Sequence, residues 1–175
     1  MRWQLITYRL PKEPSRHRVA VWRELRRLGA VSLQQGTWAL PSGEGFDEGF
    51  AQVVQTIDAA GGQPVTLAVA DDEDSAGQLE RLFTEQRDLE WQEFLADCDK
   101  YEAELADEVK KGKLTLAELD EEEESLERLR RWYRAIRGRD LFVAPSAVEA
   151  ERRLKECSEA LERYAELVYQ ARESS

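Results

Sequence analysis

At 175 residues the chain can hold one ordinary domain or a small domain with an appendage, and 42 % hydrophobic residues suffice for a core. The 36 acidic residues outnumber the 25 basic ones, and the net charge of −11 excludes attraction to nucleic acid by the molecule as a whole. No apolar run approaches the roughly 20 residues of a membrane span. Met1 leads directly into a strand-like segment with no signal-peptide pattern, so a cytoplasmic protein without a membrane partner is expected.

Residues 2–10 mix aromatic, β-branched and leucine positions and stop at Pro11, as a strand leaving a sheet would. Pro14-Ser15 then opens a helix that ends at Gly29. At about 100° per residue, Val21, Trp22, Leu25 and Leu28 cover one face, and Arg16, Arg23 and Arg27 line the opposite one. Arg18 falls near the apolar face, where it must snorkel outward or meet a carboxylate. Trp3, Trp22 and Trp38 all occupy core-facing positions and read as packing residues. Ala30–Leu33 and Thr37–Leu40 are short strands joined near Gln35-Gly36. Phe46–Ala60 is a second helix closed by Gly61-Gly62, and Pro64–Val69 is the last strand. The order βαββαβ predicts an α+β fold opening with a ferredoxin-like domain, residues 1–72, in which both helices cover one face of an antiparallel sheet.

The pattern changes after a short acidic hinge, Asp71 to Ser75. From about Ala76 to Lys111 the chain reads as one long helix striped by Trp91, Phe94, Leu95, Cys98, Tyr101, Leu105 and Val109. Thr115-Leu-Ala-Glu118 is a capping box. The helix it starts carries Leu119, Leu126, Leu129, Tyr133 and Ile136 in a/d-like spacing. A further capping box lies in Pro145–Glu149, ahead of a third stripe of Ala150, Leu154, Cys157, Leu161, Tyr164 and Val168. A helical hairpin or three-helix bundle over residues 76–172 is therefore expected.

Charge is distributed unevenly between the two parts. Residues 1–70 hold eight basic against six acidic groups, net +2, and the remainder carries −13. Any polyanion must then meet a local basic patch. One candidate is the helix entry Arg16, His17 and Arg18, continued by Arg23 and Arg27, where helix-start amides and arginine forks suit an oxyanion or phosphate. A second basic run extends from Arg128 to Arg139 and includes Arg130, Arg134 and Arg137. It follows the acids of 120–124 on one helix, an order the macrodipole favours without any ligand. Cys98 and Cys157 sit on apolar stripes and read as free buried thiols. With a single histidine, no Cys/His cluster, no Gly-rich phosphate loop and no nucleophile elbow, neither catalysis nor a metal or other cofactor is expected.

The opening motifs Tyr8-Arg-Leu-Pro11, Glu13–Arg23, Leu28-Gly-Ala-Val31 and Gly36-Thr-Trp-Ala-Leu-Pro41 resemble the N-terminal domain of the chromate-resistance protein ChrB. The segments Leu129–Arg134, Arg139-Asp140 and Ala150–Leu154 are similar as well, so the resemblance spans nearly the whole chain. It implies a cytoplasmic regulator of chromate resistance that binds promoter DNA and responds to chromate. The first domain is also similar to the middle domain of the phenylacetate-pathway repressor and to the small CRISPR-associated nuclease subunit, whose members dimerise through it. A homodimer is thus implied. The nuclease needs an Asp at the end of the first strand, where this chain has Thr7, Tyr8 and Arg9. The expected function is a non-enzymatic sensor that binds DNA or the chromate oxyanion through its arginine clusters. The alternative is a dimerisation or scaffold module that holds a protein partner through its helical part.

Overall fold

The computed structural model describes residues 2–69 and 72–173. Its elements run β1 (Trp3–Arg9), α1 (Ser15–Leu28), β2 (Val31–Gln34), β3 (Thr37–Pro41), α2 (Asp47–Ala59), β4 (Gln63–Ala68), α3 (Glu73–Lys111), α4 (Leu116–Arg137) and α5 (Ala147–Glu173). The fold is therefore α+β, with a four-stranded sheet in the order β2-β3-β1-β4 and every neighbouring pair antiparallel. Of the expected hinge, Asp71 lies outside the described residues, and Glu73–Ser75 already belong to α3.

Two compact units divide the chain at Gln86 and Arg87, within α3. In the first, period-two alternation places Ile6 opposite Trp38 on one neighbour and Thr66 on the other. Ile6, Val21, Leu25, Leu40, Val53 and Ile57 are among its most deeply buried residues. The first unit continues past residue 72 because Leu79 and Phe83 are also buried, with Phe83 edge-on to Trp3 at 5.7 Å between ring centres.

The second unit is a bundle of three helices. Trp91, Phe94, Cys98 and Leu105 of α3 share one core with Leu119, Leu126, Leu129 and Ile136 of α4 and with Ala150, Cys157, Tyr164 and Val168 of α5. Each large apolar side chain buried there is worth about 1.5–3 kcal/mol relative to exposure. Phe94 lies edge-on to Trp132 at 5.6 Å and to Trp91 at 5.9 Å. Thr115 caps α4, its hydroxyl accepting from the Glu118 amide at 3.3 Å. Val109, the expected end of the α3 stripe, is 39 % exposed in the last turn before Gly112 (φ 69°). Both thiols are free and fully buried, and Cys157 Sγ donates to the carbonyl of Cys98 at 3.7 Å. Hydrogen bonding with Cys157 and burial push the Cys98 thiol well above the usual thiol range. Among the described residues, no helix is long and apolar enough to cross a membrane, and no cluster of metal-binding side chains occurs.

Candidate anion-binding surface

α1 begins directly after Pro14, with no side-chain cap, and ends at Gly29 (φ 79°), whose amide reaches the carbonyls of Leu25 and Arg26. Its buried contacts come from Val21 and Leu25. Arg16, Arg18, Arg23, Arg26 and Arg27 are all exposed, and His17 is partly covered. The first turn contains no acidic residue but two positive neighbours, Arg16 and Arg18, set against the positive end of the helix dipole. Arg26 and Arg27, in the last turn, are placed as the dipole favours. A helix that keeps unfavourable charge at its entry departs from local consistency, and such departures concentrate at functional surfaces.

Trp22 corrects the sequence expectation that it packs in the core: it is 49 % exposed, whereas Trp3 and Trp38 are buried. One residue beyond Val21 it lies 100° around the helix, at the edge of the buried stripe, so wheel position alone could not settle its burial. The Arg26 guanidinium sits 5.7 Å from the Trp22 ring centre, a cation–π pair. Arg18 is exposed and makes no ion pair among the described residues. It lines a cavity of about 510 Å³ together with Arg9 and Lys12, two cations that the local pattern did not assign to any site. A neighbouring cavity of about 360 Å³ is lined by Trp22, Arg26 and Trp38, and both share Tyr8, Gln35 and Gly36. Burial raises the Tyr8 phenol above its usual range, an effect opposed by the polar N–H of the nearby Trp38 indole. Gly36 (φ 75°) holds the turn against Tyr8: its carbonyl accepts from the Tyr8 amide at 2.8 Å, and a Cβ there would stand 2.7 Å from the Tyr8 carbonyl oxygen.

The second basic run behaves differently. Arg130 donates to Glu127 at 2.6 Å and to Ser158 at 3.3 Å. Arg139 donates to Glu90 through Nε at 3.1 Å and Nη2 at 2.8 Å, and to the Ala135 carbonyl at 3.0 Å. Glu90 also accepts from buried Arg87 at 2.9 Å. The forks of Arg130 and Arg139 are thus occupied by groups of their own unit. Arg134 and Arg137 are exposed. Every ion pair among the described residues lies between Arg87 and Glu159, and none involves Arg9, Lys12, Arg16, Arg18, Arg23, Arg26 or Arg27. Among the described residues, then, Arg130 and Arg139 are paired within the acidic second unit, whereas Arg134 and Arg137, like the α1 arginines, make no ion pair. The two basic runs fall in different units, α1 in the first and Arg128–Arg139 in the second.

No curated protein and no solved structure matches the chain. A family model described as "Protein ChrB, N-terminal" matches residues 18–175, beginning at the fourth residue of α1. The chain therefore belongs to the family of the N-terminal part of protein ChrB.

Proposed function

We propose that this protein is a cytoplasmic regulator in chromate resistance that binds promoter DNA or a chromate-like oxyanion through Arg16, Arg18, Arg23 and Arg27, without catalysing a reaction. Membership of the ChrB family supports the link to chromate resistance. The observation that carries the binding role is the run of exposed α1 arginines without ion pairs among the described residues, whereas Arg130, Arg139 and Arg153 are each held by a carboxylate. Arginine forks left open to solvent suit phosphate and tetrahedral dianions bidentately. In this reading the sheet is a ferredoxin-like domain, a topology that the order β2-β3-β1-β4 supports. The chain acts as a homodimer, supported by the exposed Val65 and Leu67 on the edge strand β4.

The test is binding to duplex DNA from upstream of the protein's own gene, with and without chromate, at two salt concentrations, against a scrambled duplex. The reading expects preference for the upstream DNA, steep loss with salt and release by chromate. Absence of binding in every condition overturns it.

A partner-protein role for the helical unit is favoured by one specific feature, the apolar α4–α5 turn. Leu141 and Val143 are exposed there, as is Val148 at the start of α5, and Val143 holds φ 54°, a conformation β-branched residues rarely adopt. Association through that surface would respond little to salt, which separates the two readings.

A further inference from the structure

The two cavities that meet at Tyr8 differ in chemistry. On one side stand Trp22, half-exposed, with Arg26 beside its ring. On the other stand Arg9, Lys12 and Arg18. Among the described residues no carboxylate lines either side, in contrast to a cavity on α4 where Asp120, Glu123, Glu124 and Glu127 stand with Arg128 and Arg131. Each volume, about 360 and about 510 Å³, falls within the range of about 300–1,000 Å³ that small-ligand sites occupy. A ligand spanning both would be flat and aromatic at one end and anionic at the other.

The junction supplies hydrogen-bonding groups of the matching kind. The Tyr8 phenol lines both cavities and can donate as well as accept. Gln35 is exposed and offers an amide donor and acceptor pair suited to the edge of a heterocycle. Gly36, which lines both cavities, brings the backbone against Tyr8.

We infer that this cleft is a nucleotide site, with the base stacked on Trp22 and read by Gln35, and the phosphate held by Arg9, Lys12 and Arg18. The inference deepens the polyanion reading, on which it rests, by adding recognition of an unstacked base. That base can belong to a free mononucleotide or to an unpaired nucleotide in a single strand, since both present the same flat ring and phosphate.

Calorimetric titration of the full chain with 5′-nucleoside monophosphates, the matching nucleosides, inorganic phosphate, a 12-residue single strand and a duplex of the same sequence tests it. Binding of a mononucleotide or of the single strand, at least tenfold tighter than nucleoside or phosphate alone, is expected. Trp22→Ala should weaken that binding about tenfold and leave inorganic phosphate unaffected. Arg18→Gln should weaken both. Gln35→Ala, at an exposed turn, should alter the preference among bases and serves as a second variant if Trp22→Ala unfolds. Mononucleotide binding assigns the site to a free ligand, and single-strand binding alone assigns it to unpaired nucleic acid. The inference is overturned if neither exceeds phosphate, or if Trp22→Ala and Gln35→Ala both leave binding unchanged. Duplex binding that persists in that case preserves the regulator reading. Mononucleotide binding without duplex binding supports the site and overturns the DNA role.

Discussion

The Trp91 indole donates to Oδ2 of Asp140 at 2.8 Å, joining α3 to the turn that follows α4 across 49 residues of sequence. Both carboxylate oxygens also accept from the Ala144 amide at 3.1 Å, and Asp140 is only 3 % exposed. Asp140→Ala would orphan two buried donors, and we expect a loss of about 3 kcal/mol in urea unfolding. Asp140→Asn, which keeps an acceptor, should cost less.

The buried Arg87–Glu90–Arg139 cluster gives a second prediction. Glu90 stands between two arginines, at 2.9 and 2.8 Å. Glu90→Ala removes the carboxylate between a buried and a partly exposed guanidinium and should cost about 3 kcal/mol, again by chemical denaturation. The contrast is Arg152, which pairs with Glu149 and Glu156 on the open surface of α5. Arg152→Ala should leave the unfolding midpoint unchanged.

Glu122 points to a pH effect of opposite sign to the usual carboxylate. It is buried, with Oε2 lacking a hydrogen bond, and burial followed by the nearby charges of Glu104, Glu108 and Glu118 raises its carboxyl above the ordinary range. A raised folded value means that stability is fully present below the unfolded value and is lost as pH rises through the folded one. Glu122→Gln should therefore raise the melting temperature at pH 7. The gain should vanish below about pH 4, where wild type is protonated in both states.

On α1 the same type of substitution should separate binding from stability. Arg16→Ala, Arg23→Ala and Arg27→Ala remove exposed side chains that make no ion pair, so thermal melts should superimpose on wild type. If each arginine meets a DNA phosphate, each loss should flatten the dependence of log affinity on log salt by about 0.9.

Gly36→Ala combines both effects. A left-handed backbone and a Cβ 2.7 Å from the Tyr8 carbonyl make it destabilising by about 1 kcal/mol or more, measurable in urea. The displaced turn would also shift Gln35 and weaken any ligand of the cleft.

The parts of this architecture that depend on neighbours within a few turns were legible. The four-three spacing of Ala150, Leu154, Cys157 and Leu161 marked the inner face of α5, and Thr115 with Glu118 marked the start of α4, because helical geometry alone dictates both. The long-range partners were not. Arg139 read as a free cation until α3 brought Glu90 to it from 49 residues away. Arg9, Lys12 and Arg18 belong to a strand end, a loop and a helix, and only the fold gathers them beside Gln35-Gly36. Trp22 was misplaced because it borders the buried stripe, where an angle of 100° separates inside from outside less sharply than a local contact does.

The unpaired state of the α1 arginines also sets how selective that face is. Arg139 is held in one geometry by three hydrogen bonds, so its rotamer freedom was surrendered on folding. Arg16, Arg23 and Arg27 retain theirs, and each must give up about 1.5–2 kcal/mol of side-chain entropy when it closes on an anion. Such a face accommodates many anion shapes and holds each one loosely. Discrimination then falls to stiffer groups of the same unit, the buried Trp38 and the turn pinned by Gly36, which lose almost nothing on binding.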